Sequence, residues 1–269
     1  MTPLQFELAV LWRSRLARLA FLLACAPPAL GLLFLAGARG WPVQPSALAR
    51  VWLPTVFVIA SAAQAVLLPL IQLALLGDSL AGQLADHRRR TVLGCPVAHW
   101  RLYLGKLASA LLFSVAVLAV SMALTLFSAL VAGAGSPALT FLLERGYETS
   151  LPGFGLLFLA CQAGLVAYLG MLFALSDSFK SGLLLVPAVT AALLALQYGA
   201  LRAPESYALL SGLTFTSHYI HGLGIESLIA ASVGRLALEA AHWKLLAGLV
   251  CDVVIFGGLG CLAFRHQQP

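Results

Sequence analysis

The sequence predicts an all-α, polytopic membrane protein, and three observations carry that prediction. Of 269 residues, 61% are hydrophobic and 10% charged, whereas a soluble domain is about 25% charged. That leaves too little polar surface to solvate a globule of this size. The apolar residues also gather in runs, about as long as the roughly 20 residues a membrane-crossing helix requires. Finally, the net charge of +6 comes from Arg and Lys in short stretches beside those runs, a distribution that marks membrane orientation and not nucleic-acid binding.

Residues 1–18 mix Leu4, Leu8, Leu11, Trp12 and Leu16 with Gln5, Glu7, Arg13, Arg15 and Arg18. Leu4, Leu8 and Leu11 share a helical face, which predicts a helix lying in the bilayer surface with Trp12 as an interface anchor. Phe6 and Val10 interrupt the pattern, and a frayed, solvated terminus is the alternative. Leu22-Leu23-Ala24-Cys25 resembles a lipoprotein cleavage box, but only six apolar residues separate Arg18 from Cys25, short of the roughly 7–15 of a signal sequence.

Six spans follow, at about 19–37, 51–76, 102–132, 152–175, 183–201 and 245–264. Pro27-Pro28 should kink the first, and the third is long enough to tilt or to project beyond the bilayer. A tight turn at 176–182 joins the fourth to the fifth. The stretch 202–244 is interrupted by Pro204, Glu205, His218, His221, Glu226, Arg235 and Glu239. It reads as an external loop with re-entrant or interfacial helices, with a seventh span at 223–238 as the alternative.

The charge-dense stretch 76–106 is the chain's main polar interruption. It carries Arg88, Arg89, Arg90, Arg101 and Lys106 against Asp78 and Asp86, and short loops rich in Lys and Arg stay cytoplasmic. Six spans with both termini inside put ten basic residues on the cytoplasmic side and six outside, and this stretch supplies half of the ten. It reads as the handle by which a cytosolic partner grips the chain. No internal repeat of the kind many secondary transporters carry is apparent.

Motifs for chemistry are scarce. No phosphate loop is present, because Gly105-Lys106 lacks the earlier glycine and the following Ser or Thr. ATP hydrolysis by this chain is therefore not expected. Neither G-x-S-x-G, nor H-E-x-x-H, nor a carboxylate pair suited to acid–base work occurs. The five cysteines have no paired spacing and predict no disulfide framework or zinc site. His218-x-x-His221 with Glu226 has the makings of a ligand set, yet imidazoles at headgroup level need no metal. No metal or other cofactor is expected.

Pathway candidates are the polar residues inside spans. Asp252, within LVCDVVIF, marks a pathway or a buried partner, or else is structural glue between helices. Gln64, Gln72, Gln162 and Gln197 line an interior on one reading and make interhelical hydrogen bonds on the other. Asp177 and Lys180 only define a cytoplasmic turn.

The order of motifs in 76–106 resembles the cytoplasmic segment of type-2 ATP-binding-cassette (ABC) permeases, in the group linked to gliding motility and nitrous-oxide-reductase maturation. In that group a charged segment leads into a Leu-containing pair, then Pro with a hydrophobe, then a Gly-Lys that opens the third span. Val92-Leu93, Pro96-Val97 and Gly105-Lys106 stand in that order. The usual acidic residues and Gly-Thr are replaced by His87, Arg88, Arg89 and Arg90. LPGFGLLFLACQAGLVAYLGMLFALSDSFKSG is similar to the family's fourth span, and LLSGLTFTSHYIHGLGIES to the segment before its last, with Thr214 where proline is usual.

The resemblance implies an ABC exporter permease in the plasma or inner membrane. It would dock a separate cytosolic ATPase subunit, which binds the ATP, and face a second permease chain within the lipid. A coupling helix in 77–101 would present Asp86, His87, Arg88, Arg89, Arg90 and Thr91 to that ATPase. Pro96 to Lys106 would carry its motion into the third span. The triple arginine also suits anionic lipid, at about 1 kcal/mol per basic residue. The rivals are a secondary transporter or channel using Asp252, a non-transporting anchor for a cytosolic complex, and an intramembrane enzyme.

Overall fold

Backbone groups inside an apolar run find no water to bond, so such runs satisfy themselves as helices. The computed structural model describes residues 3–37, 45–82, 98–132, 147–176, 179–202, 231, 236 and 238–266. Among these the chain is all-helical, with no strand. The helices are α1 (Pro3–Arg13), α2 (Arg15–Gly37), α3 (Pro45–Leu76), α4 (His99–Ala132), α5 (Tyr147–Ala174), α6 (Phe179–Arg202) and α7 (Ala240–His266). A π-helical turn, Gly77–Gly82, continues α3.

Four helices contain windows long and apolar enough to cross a membrane by length and composition: Phe57–Leu80, Trp100–Phe127, Ser150–Ala174 and His242–Arg265. These place the chain in a membrane. Within α2 and α6 the apolar helices are shorter, Ala17–Leu30 and Ser181–Ala195.

Local chemistry sets several helix ends. Ser14 N–H still bonds to the Val10 and Leu11 carbonyls, while Ser14 Oγ accepts from Ala17 N–H at 3.4 Å. One serine therefore closes α1 and caps α2. At α7, Glu239 N–H donates to His242 Nδ1 at 3.2 Å and His242 N–H donates back to the Glu239 carbonyl at 3.0 Å. The imidazole thus supplies one arm of a capping box, in the usual Glu position, beside an ordinary backbone turn bond. Pro27 and Pro28 stay within α2, Pro152 within α5 and Pro187 within α6.

Ring contacts and hydrogen bonds fix the relative directions. Phe57 meets Phe154 at 5.0 Å and, further along, Gln72 meets Gln162, so α3 and α5 are parallel. Ser150 Oγ donates to the Leu236 carbonyl just before α7, and Tyr168 meets Phe256 at 5.6 Å, so α5 and α7 are parallel too. The α4 helix opposes this set, since Gln72 bonds to Ser114 while Ser79 lies level with Lys106. With Ser14 beside Ser109 and Phe21 against Phe113, α2 runs with α4. Because Tyr168 bonds to Thr190 and Phe173 packs on Gly182, α6 opposes α5. The six long helices thus alternate in direction along the chain.

Packing is small inside and large outside. In α2, Ala17, Ala20 and Ala24 are buried whereas Leu19, Leu22, Leu23, Leu30 and Leu33 are exposed, as suits a helix whose outer solvent is lipid. At the centre sits α5, with 78% of its span window buried, and at the edge α7, with 17%. Tyr103 of α4 is fully buried where α4, α5 and α7 meet. A Cβ at Gly260 would overlap its hydroxyl, and one at Gly170 would overlap Leu107, so glycine is what lets these helices close.

Several expected boundaries shift. Helix α6 already starts at Phe179, inside the turn expected at 176–182. Ser176 Oγ donates to the Phe173 carbonyl at 2.8 Å and closes the end of α5. Helix α7 starts at Ala240, ahead of the expected 245. Leu236 and Leu238 are non-helical and pack on the core, while the rest of the alternative span at 223–238, Ala231 apart, lies outside the described residues. At the other edge of 77–101, helix α3 extends through the π-helical turn and α4 already begins at His99.

Candidate functional site

Among the described residues, two polar clusters have their hydrogen bonds or ion pairs resolved inside the apolar bundle, and α3 and α4 contribute to both. The first lies where α1 crosses the start of α4. Glu7 Oε1 and Lys106 Nζ pair at 2.9 Å, with 6% and 2% of their side chains exposed. The pair borders a half-open cleft of about 50 Å³, room for about three waters. Ser14, Asp78, Ser79 and Ser109 add polar groups to its wall, and Leu75, Leu76 and Ala110 make it apolar toward the bundle.

Lys106, expected to pass the coupling segment's motion into the third span, has its side chain buried against Glu7 of α1. Sequence reasoning missed Glu7 as its partner. One signal was available: Glu7 is the first carboxylate of the chain, none follows until Asp78, and Lys106 is the first lysine. Opposite charges set among apolar residues of two helices invite pairing because an unpaired buried charge is so costly.

The α1 helix also explains Phe6 and Val10. Both are exposed, as is Trp12, while Leu11 packs on the core. The helix therefore has an apolar flank on each side, one toward the bundle and one outward. Trp12 meets Phe21 in a tilted contact, with ring centroids 5.5 Å apart.

The second cluster is deeper. Gln72 Nε2 donates to Ser114 Oγ and to Gln162 Oε1, the latter at 3.2 Å. Ser114 Oγ in turn donates to the Ala110 carbonyl at 3.3 Å. This joins α3, α4 and α5 through three predicted or newly found polar residues; Ser114 was not singled out from sequence. Gln72 Oε1, Gln162 Nε2 and Gln64 Nε2 are buried without a hydrogen-bond partner, as is the Tyr103 hydroxyl. Gln64 lies two turns from Gln72 on α3.

Asp252 is buried on α7, at 6% exposure, and engages in an interaction. Asp86, His87, Arg88, Arg89, Arg90, Thr91 and Pro96 lie outside the described residues, as do His218, His221 and Glu226. The side chain of Gln197, within α6, is also outside them. Among the described residues no His, Cys, Asp and Glu group of three or more is placed to hold a metal. Cys25, Cys161, Cys251 and Cys261 are free thiols.

Neither a scan against protein-family models nor a search of curated proteins returns a match to this chain.

Proposed function

We propose that this chain is the membrane-spanning permease subunit of an ABC exporter, worked by a separate ATPase subunit that docks on 77–101. Its fold in this reading is six transmembrane helices with cytoplasmic termini, an N-terminal interfacial helix, and a second permease chain as partner in the inner membrane. The observation that carries the reading is the buried Glu7–Lys106 pair. It locks the N-terminal helix onto the start of the helix that follows the basic segment. A push on that segment would reach α4 directly and move α1 with it, the behaviour of a two-state element biased by a partner's ligand. The alternation of six long helices and the order of motifs around Pro96 and Lys106 lend support.

Buried Asp252 favours a second reading, a secondary transporter with an ionisable site on α7. Co-purification separates the two. The permease retains an ATPase subunit, and replacing Arg88, Arg89 and Arg90 with Ala releases it and stops coupled transport. Retention of both ATPase and transport in that variant refutes the docking assignment. Transport that needs no ATP hydrolysis but is lost in Asp252→Asn favours the second reading.

A further inference from the structure

We infer that the Gln72–Ser114–Gln162 node is a hydration site inside the bundle, supplied with water from the Glu7–Lys106 cleft. Two complementary orphans carry this inference: an acceptor, Gln72 Oε1, and a donor, Gln162 Nε2, each buried with no partner. Turning both amides over does not help. Gln162 Nε2 would then donate to Gln72 Oε1, leaving one donor and one acceptor unmet on the opposite atoms. Turning only one sets like groups against each other. A bilayer interior does not tolerate such groups unmet, so the node requires a third group that both donates and accepts.

The choice of group follows from that chemistry. A cation would satisfy only the oxygen and an anion only the N–H, whereas one water accepts from Gln162 and donates to Gln72. The third orphan, Gln64 Nε2, extends the same donor chemistry along the same helix. Access is short. Ala110 and Leu76 form the inner wall of the cleft, and Ser114 lies one turn beyond Ala110, about 6 Å along α4. Ser114 Oγ already bonds to the Ala110 carbonyl. The inference holds whether or not the chain is an exporter subunit.

Radiolytic hydroxyl-radical labelling of the unmodified protein in bilayers tests it, because a bound water is itself the source of the radical. Cys161, adjacent to Gln162, and Cys25 on α2 are both buried free thiols. Cys161, next in the chain to Gln162, should oxidise severalfold faster than Cys25, which lies on a helix that contributes no residue to the node. Equal rates refute the site, and that comparison requires no variant. In the double variant Gln72→Leu, Gln162→Leu the Cys161 rate should fall to that of Cys25; persistence of the fast rate places the water elsewhere and overturns the assignment. For the route, rapid mixing with oxygen-18 water before the pulse should deliver label to Cys161, and Ser109→Trp in the cleft should slow its arrival. Undiminished delivery through the blocked cleft refutes the route.

Discussion

The two polar clusters share α3 and α4 and lie about 12 Å apart along α4, yet they solve burial in opposite ways. Glu7 and Lys106 arrive as a matched pair, each charge cancelled at 2.9 Å. The amide node is neutral and only half satisfied, with hydrogen-bonding capacity left over on two of its three side chains. The difference teaches what an apolar bundle tolerates. A charge must be folded together with its counter-charge, whereas an amide can be held by one good bond with part of its capacity unused.

Breaking the charged cluster should have the largest effect. Glu7→Ala or Lys106→Ala strands a buried charge and should cost about 3–5 kcal/mol, read as a drop in unfolding midpoint in detergent or bicelles. Glu7→Leu with Lys106→Met removes both charges and should recover most of that loss. A double variant as unstable as either single change would mean that the two residues do not act as a pair.

The node should respond less. Gln72→Leu removes two interhelical hydrogen bonds, each worth about 0.6 kcal/mol in a membrane bundle, and so should cost about 1 kcal/mol by the same measurement. A loss as large as that of Glu7→Ala would erase the distinction between the clusters. Smallest of all should be Tyr103→Phe. The Tyr103 hydroxyl is buried with no hydrogen-bond partner within the protein, so deleting it forfeits no interhelical bond, and the midpoint should hold or rise slightly. A clear drop would reveal a partner for that hydroxyl.

Much of the helical fold was legible from the sequence, because runs of apolar residues admit little else inside a bilayer. The helices fall where the runs are, and the long third run gives the long α4, 34 residues. Their ends were less legible. Phe179 and Lys180 belong to α6, and His242 to α7, because a helix continues past the apolar window into the interface, where hydropathy no longer reports it. Gln72 and Gln162 stood out as amides in apolar runs. That they bond to one another, and that Ser114 joins them, depends on helix rotation, which a nearly uniform apolar run does not encode. The pairing of Lys106 was illegible for a related reason: its partner is 99 residues away in the chain, and local composition reports only the basic stretch that Lys106 closes.

The exposed tryptophans have one more consequence. Trp12 and Trp100 sit at the Glu7 end, and Trp243 opens α7 at the other. Phe264 of α7 reaches the first level through Tyr103, and the 21 residues from Trp243 to Phe264 rise about 32 Å. Rings of this kind settle at the headgroups, so the bundle carries its own ruler, matched to a hydrocarbon slab about 30 Å thick. In a markedly thicker or thinner bilayer the helices must tilt or the lipid must deform, which makes acyl-chain length a natural variable for tuning this protein's stability.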